Sequence, residues 1–122
     1  MSFQHLGLIA PLLRAIEAQG HTIPTPIQEK AIPRVLKGSD VLAGAKTGTG
    51  KTAAFALPIL QHLDQDKTAN RLPRALILTP TRELAAQVEN DFKAYGRFLS
   101  LRTAVVFGGV NINPQIRQFQ KG

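Results

Sequence analysis

The chain has no cysteine among its 122 residues. That excludes a disulfide framework and a thiolate-held metal. No apolar run is long enough to span a bilayer, and the start is not a basic stretch followed by a long apolar segment. Neither a membrane span nor a secretory leader is expected, and the reading is cytoplasmic. Acidic residues are scarce: eight Asp+Glu stand against fifteen Lys+Arg, for a formal net charge of +7. That sign suits a polyanionic partner such as nucleic acid. It equally suits a surface that merely stays soluble, because the cations are spread without a Lys/Arg cluster. Internal repeats and low-complexity tracts are absent too. What is present is 43% hydrophobic and 19% charged, in the length of one ordinary globular domain.

The most informative stretch is Ala45-Lys46-Thr47-Gly48-Thr49-Gly50-Lys51-Thr52. It reads as a phosphate-binding loop with Ala at the first position, where Gly is usual. Gly48 and Gly50 let the backbone turn tightly and aim N–H groups at a phosphate chain. Lys51 supplies a mobile charge for the outer phosphates, and the Thr52 hydroxyl suits a Mg²⁺ ion held by the nucleotide. Such a loop belongs between a strand and a helix N-terminus. Val41-Leu42-Ala43 supplies the apolar run before it, and Ala53 to Leu57 begins a helical pattern after it.

The rest of the chain alternates helix and strand signals. Apolar residues at Leu8, Ile9, Leu12, Leu13 and Ile16 predict a helix from Leu8 to Gln19, stopped by Gly20. Phe3 stands alone before it, where it can plug the core. In Gly20-His21-Thr22-Ile23-Pro24-Thr25-Pro26-Ile27-Gln28, Thr25 fits an N-cap, Pro26 the first helical position, and Thr25-x-x-Gln28 a capping box. Gln28 therefore has a structural explanation; its amide could instead pair with an edge of adenine. Pro33 and Pro58 each predict a kink or bend in the helix that holds them, the second helix running to about Leu63. Asp64 to Pro73 reads as a polar surface loop.

Ala75 to Thr79 predicts a second strand, and Thr81 caps a helix with Leu84, Val88, Phe92, Tyr95 and Leu99 on one face. Glu89, Asp91 and Lys93 read as solvated. Arg82, a cation in the first turn, opposes the helix dipole, which hints at a phosphate contact or at a side chain swung into water. Thr103 to Phe107 predicts a third strand, ended by Gly108-Gly109, which permits either close ligand approach or a tight turn. Asn113-Pro114 reads as the cap and start of a last helix, Pro114 to Gln120. Alternating strands and helices imply a parallel sheet in a three-layer α/β arrangement, with the loop, Pro80-Thr81-Arg82 and Gly108-Gly109 all at the edge where ligands bind.

Taken together, these residues resemble the N-terminal part of a DEAD-box ATP-dependent RNA helicase. Gly20 to Gln28 resembles the Q motif, with Phe3 as the isolated upstream aromatic. Ala45 to Thr52 resembles motif I, Pro80-Thr81-Arg82-Glu83-Leu84-Ala85-Ala86-Gln87 motif Ia, and Gly108-Gly109 the GG element. The resemblance implies a RecA-like α/β domain of about three parallel strands with flanking helices, divided into a helical region at 1–38 and a phosphate-loop core at 39–122. It implies ATP as substrate, Mg²⁺ and RNA. Gln28 would read adenine, Phe3 would stack on the base beside Ile23, and Ala45, Lys46, Thr47, Gly48, Thr49, Gly50, Lys51 and Thr52 would wrap the phosphates. Pro80, Thr81, Arg82 and Gly109 would hold the RNA backbone with little base readout. His21 departs from the family, which usually has Tyr or Phe there.

Asp-Glu-Ala-Asp occurs nowhere in the chain, nor does the Ser-Ala-Thr motif of the family. The resemblance therefore implies a fragment of the first helicase domain, without the residues that orient metal and water and without the second domain's arginines. Little turnover is expected from it alone, since those parts lower the barrier to phosphoryl transfer. In related ATPases the phosphate-loop strand pairs with strands that come later in the chain, so unpaired edges and self-association are expected. The alternative is a non-catalytic nucleotide- or RNA-binding module.

Overall fold

The computed structural model describes residues 2–66 and 72–121. A 3₁₀ turn at Phe3–Leu6 leads to α1 (Ala10–Ala18), α2 (Pro26–Leu36), α3 (Lys51–Gln65), α4 (Arg82–Tyr95) and α5 (Ile112–Gln120). The central element is α3, which packs against α2 on one side and α4 on the other, while α1 packs against α4. One apolar cluster joins them: Phe3, Leu6, Leu8, Leu12, Ile16, Ile32, Leu57, Leu60, Val88, Phe92 and Tyr95 are all buried in it. Side chains of that size stabilise by about 1.5–3 kcal/mol each when fully buried.

The helix ends follow local chemistry. Gly20 takes φ +80° after α1; its N–H donates to the Glu17 carbonyl and the His21 N–H to that of Ile16. This double closure satisfies two carbonyls that a helix end leaves free. Gly38 closes α2 in the same way, onto Val35 and Arg34. The capping box forms at the start of α2: Thr25 Oγ1 accepts from the Gln28 N–H, and Gln28 Oε1 accepts from the Thr25 N–H at 3.0 Å. Neither Pro33 nor Pro58 ends its helix. Pro58 is fully buried, so its ring is part of the apolar contact that holds α3. The α3 C-terminus is closed by Arg74, whose guanidinium donates to the carbonyls of Leu63 and Asp66. The expected polar loop thus begins after Gln65, and its residues 67–71 lie outside the described ones.

The three strands expected from the sequence are not formed among the described residues. Val41 to Ala43, Ala75 to Thr79 and Thr103 to Phe107 carry no backbone ladder to one another. Two of them nonetheless alternate like strands. Ile77 and Thr79 are half-buried while Leu76 and Leu78 are 82% and 86% exposed, and from Leu101 to Phe107 every second residue is half-buried. Ile77 and Leu101 pack on the helical core. The physical reason is that a parallel strand needs both faces covered and a partner along each edge. Here the helices cover alternate side chains only, and Leu42 is bare. Exposed N–H and C=O groups are then met by water, and nothing drives pairing.

Two smaller expectations also move. The last helix is capped by Asn111, not Asn113: Asn111 Oδ1 accepts from the Asn113 N–H at 3.0 Å, which starts α5 two residues earlier. Pro114 then sits within the first turn, where its missing N–H has no intrahelical partner to lose. On α4, Val88, Phe92 and Tyr95 are buried as the stripe predicts. Glu89 is not solvated: one of its carboxylate oxygens pairs with Lys93 at 3.4 Å and the other is buried without a partner.

Candidate functional site

The Ala45–Thr52 loop runs directly into α3. Gly48 and Gly50 take φ values of +83° and +80°, so both positions need glycine. Gly50 is the N-cap of α3, and no side chain caps that end. The leading N–H groups of α3 therefore have no intrahelical acceptor, which with the helix dipole makes a site for an anion. Lys46 and Lys51 are exposed beside it, and Thr52 is half-buried. Within the loop, the Thr49 hydroxyl donates to the Lys46 carbonyl. These groups fit a phosphate chain with its Mg²⁺: unpaired N–H donors, two cations and a hydroxyl at Thr52.

Gln28 is tied to this loop. It is only 5% exposed, and its Nε2 donates to the Gly50 carbonyl at 3.2 Å while its Oε1 serves the capping box. One amide thus joins the start of α2 to the start of α3, a link that neither the cap nor the loop pattern announces. Each amide atom keeps one unused valence, an N–H on Nε2 and a lone pair on Oε1.

The other expected nucleotide contacts lie apart from that link. Phe3 is 5% exposed and belongs to the apolar core. Its ring also lines a groove of about 380 Å³ with Leu13, Arg14, Glu17, His21 and Thr22, and Gln28 is not among its walls. Ile23 is exposed. His21, which stands where the resemblance expects Tyr or Phe, leans on α4: its ring lies 6.4 Å from that of Tyr95, and its Nε2 is 3.4 Å from the Tyr95 hydroxyl. Burial raises the Tyr95 pKa, with the Asp91 charge adding to it. Burial also raises that of Asp91, and the nearby His21 partly opposes this.

The expected RNA contacts gather at two helix starts. Thr81 caps α4, its Oγ1 accepting from the Leu84 N–H at 3.1 Å. Pro80 and Arg82 are exposed there, and Arg82 forms no ion pair among the described residues. Gly109 takes φ +75°, which a turn there requires, and no protein atom fills the space where a Cβ would lie. The Phe107 N–H donates to Gln115 Oε1 at 2.7 Å, which ties this turn to α5.

Sequence reasoning missed Gln61. It is buried on the apolar side of α3, its Nε2 donating to the Gly7 carbonyl at 2.9 Å and its Oε1 accepting from the Ile9 N–H at 2.8 Å. It fastens the N-terminal turn that carries Phe3. The signal was a polar residue next to Leu57 and Leu60 in an otherwise apolar stripe.

Comparison with known proteins supplies the lineage. Residues 25–122 match the DEAD/DEAH box helicase family. The DEAD-box ATP-dependent RNA helicase RhpA of Helicobacter pylori is 47% identical over 120 residues, 98% of this chain and 24% of that protein. The chain thus spans a quarter or less of the length of such curated relatives, from 24% of RhpA down to 10%. The crystal structure of a DEAD box protein from the hyperthermophile Methanococcus jannaschii superposes with a TM-score of 0.89 at 39% identity, over 98% of this chain and 32% of that one. The RNA helicase Prp28 from Chaetomium thermophilum, bound to ADP, gives 0.85 at 38% identity, over 94% of this chain and 28% of its own. The chain path is therefore that of a RecA-like helicase domain even where the ladder is missing, and this chain belongs to the DEAD/DEAH box helicase family.

Proposed function

We propose that this chain carries the ATP-binding and RNA-backbone-binding elements of an ATP-dependent RNA helicase, whose whole activity is RNA-stimulated ATP hydrolysis with local duplex unwinding in the cytoplasm. The observation that carries this reading is the join between Gln28 and Gly50, which sets an amide beside an uncapped helix N-terminus. The N–H groups of the Gly48–Thr52 turn and Lys51 hold the phosphates, and Lys46 adds charge nearby. Thr52 would hold Mg²⁺ through its hydroxyl; when bound, that ion would neutralise charge on the phosphate oxygens. The unused valences of Gln28 face the adenine edge and the exposed Ile23 lies beside the base, while stacking by Phe3 would need its ring to leave the core it occupies here. Pro80, Thr81, Arg82 and Gly109 hold the sugar-phosphate backbone of RNA.

Turnover by these residues alone is negligible. No Asp-Glu-Ala-Asp is present to orient metal and water, and positioning the phosphates does not by itself stabilise the transition state. The bare apolar side chains Leu42, Leu76 and Leu78 drive self-association, by pairing of the extended segments between copies.

The test is thermal melting with and without Mg²⁺-ADP, Mg²⁺-ATP and Mg²⁺-GTP, beside Lys51→Ala. A ligand that binds only the folded chain at 100 times its dissociation constant stabilises it by about 2.7 kcal/mol. A rise with adenine nucleotides alone, lost in Lys51→Ala, is expected. A guanine response as large as the adenine one would sink the assignment of Gln28, and no response to any nucleotide would sink the site in this chain.

A further inference from the structure

Arg14 on α1 and Arg97, just beyond α4, both rest on one phenyl ring. Each guanidinium carbon lies 5.0 Å from the centre of Phe98. The ring is 43% exposed, and both arginines are exposed. Among the described residues neither makes an ion pair, although Glu17 is one helical turn from Arg14. Two like charges share a ring, and among the described residues neither is paired with a carboxylate, in a chain of net charge +7. Cation–π contact restrains each guanidinium over the ring, so less freedom is lost when its N–H groups meet an oxyanion than from an untethered side chain.

We propose that Arg14, Phe98 and Arg97 form a second contact for the RNA phosphate backbone, separate from the one at Arg82. The proposal rests on the RNA-binding reading above. Arg82 opens α4 and Arg97 follows its end, so the two contacts are separated by the length of a 14-residue helix, roughly 21 Å at 1.5 Å per residue. A single strand that reaches both is held at two places along one helix. The exposed guanidiniums also offer planes on which an unpaired base can stack, without reading its identity. Phosphate is favoured over an acidic protein segment because the planar forks stand on an aromatic ring, the combination that single-stranded RNA engages through both phosphate and base.

The experiment is a salt titration of this chain binding a fluorescein-labelled single-stranded oligouridine long enough to span both contacts. The variants are Arg14→Ala/Arg97→Ala, Arg14→Lys/Arg97→Lys and Arg82→Ala, with melting temperatures measured alongside. The slope of log affinity against log salt falls by roughly 0.7 for each phosphate of a single strand that is no longer neutralised, so about 1.4 for the alanine pair. The lysine pair keeps the charge and restores the slope. An alanine pair that melts normally and binds with unchanged slope, while Arg82→Ala weakens binding, overturns the second contact and leaves the first. A chain with no affinity at low salt overturns both. Polyglutamate that binds the wild type but not the alanine pair, while the salt slope for RNA is the same in both, assigns the patch to an acidic protein instead.

Discussion

Gln28 Nε2 donates to the carbonyl of Gly50 at 3.2 Å, so the residue that closes the α2 capping box also holds the N-cap of α3. Gly50 has φ +80°, and a Cβ there would collide with Gln28 Nε2. Gly50→Ala is therefore expected to destabilise the chain twice over. The left-handed backbone alone costs about 1–2 kcal/mol for a residue with a Cβ. Displacing the Gln28 amide breaks a largely buried hydrogen bond besides. Urea unfolding checks this, and a midpoint equal to that of the parent would refute it.

Gln61→Leu keeps the volume and removes both hydrogen bonds that fasten the N-terminal turn. The Gly7 carbonyl and the Ile9 N–H lose their partner; Gly7 is exposed and Ile9 half-buried, so water replaces part of each bond and the cost is about 0.5–1.5 kcal/mol per hydrogen bond. Phe3 and Leu6 sit in the segment that would loosen. Hydrogen exchange at the N-terminal turn should speed up more than exchange in α4. Equal protection in parent and variant would show that apolar contact alone holds the turn.

Leu76→Ser/Leu78→Ser changes two side chains that are almost fully exposed. The expected outcome is an unchanged unfolding midpoint, within about 0.5 kcal/mol as for other surface substitutions, together with weaker self-association in light scattering across a concentration series. If association persists at the parent level, the extended segments are not its route.

Asp91 has a pKa raised by burial. A proton bound more tightly in the folded chain contributes stability that is fully present below the unfolded value, near 3.8, and is lost as pH rises through the raised folded value. Asp91→Asn removes that pH dependence. Its unfolding midpoint should exceed the parent's at neutral pH and converge with it in acid. A gap that is constant with pH would mean that ionisation of Asp91 has no part in it.

Much of the local structure was legible. The Thr25–Gln28 capping box, the Gly20 stop, the Thr81 cap and the Val88–Phe92–Tyr95 stripe each follow from residues within a few positions of one another, because helix ends and faces are short-range matters. The glycines of the Ala45–Thr52 loop were legible for the same reason: only glycine is at ease at their positive φ. The misreading was one of burial. Glu89, read as solvated, is partly buried: one carboxylate oxygen pairs with Lys93 on the same helix and the other is buried without a partner.

By itself, then, the sequence determined the helices, most of their ends, the turn before α3 and the residues that mark the helicase family. The tertiary structure decided that Gln28 binds Gly50, that Gln61 pins Gly7 and Ile9, that Phe3 enters the core, and that Arg14 and Arg97 meet on Phe98. It also decided that three strand-like segments stay unpaired. A helix satisfies its backbone from within its own sequence. A strand satisfies it only from neighbours, and whether those neighbours arrive is not written in the strand.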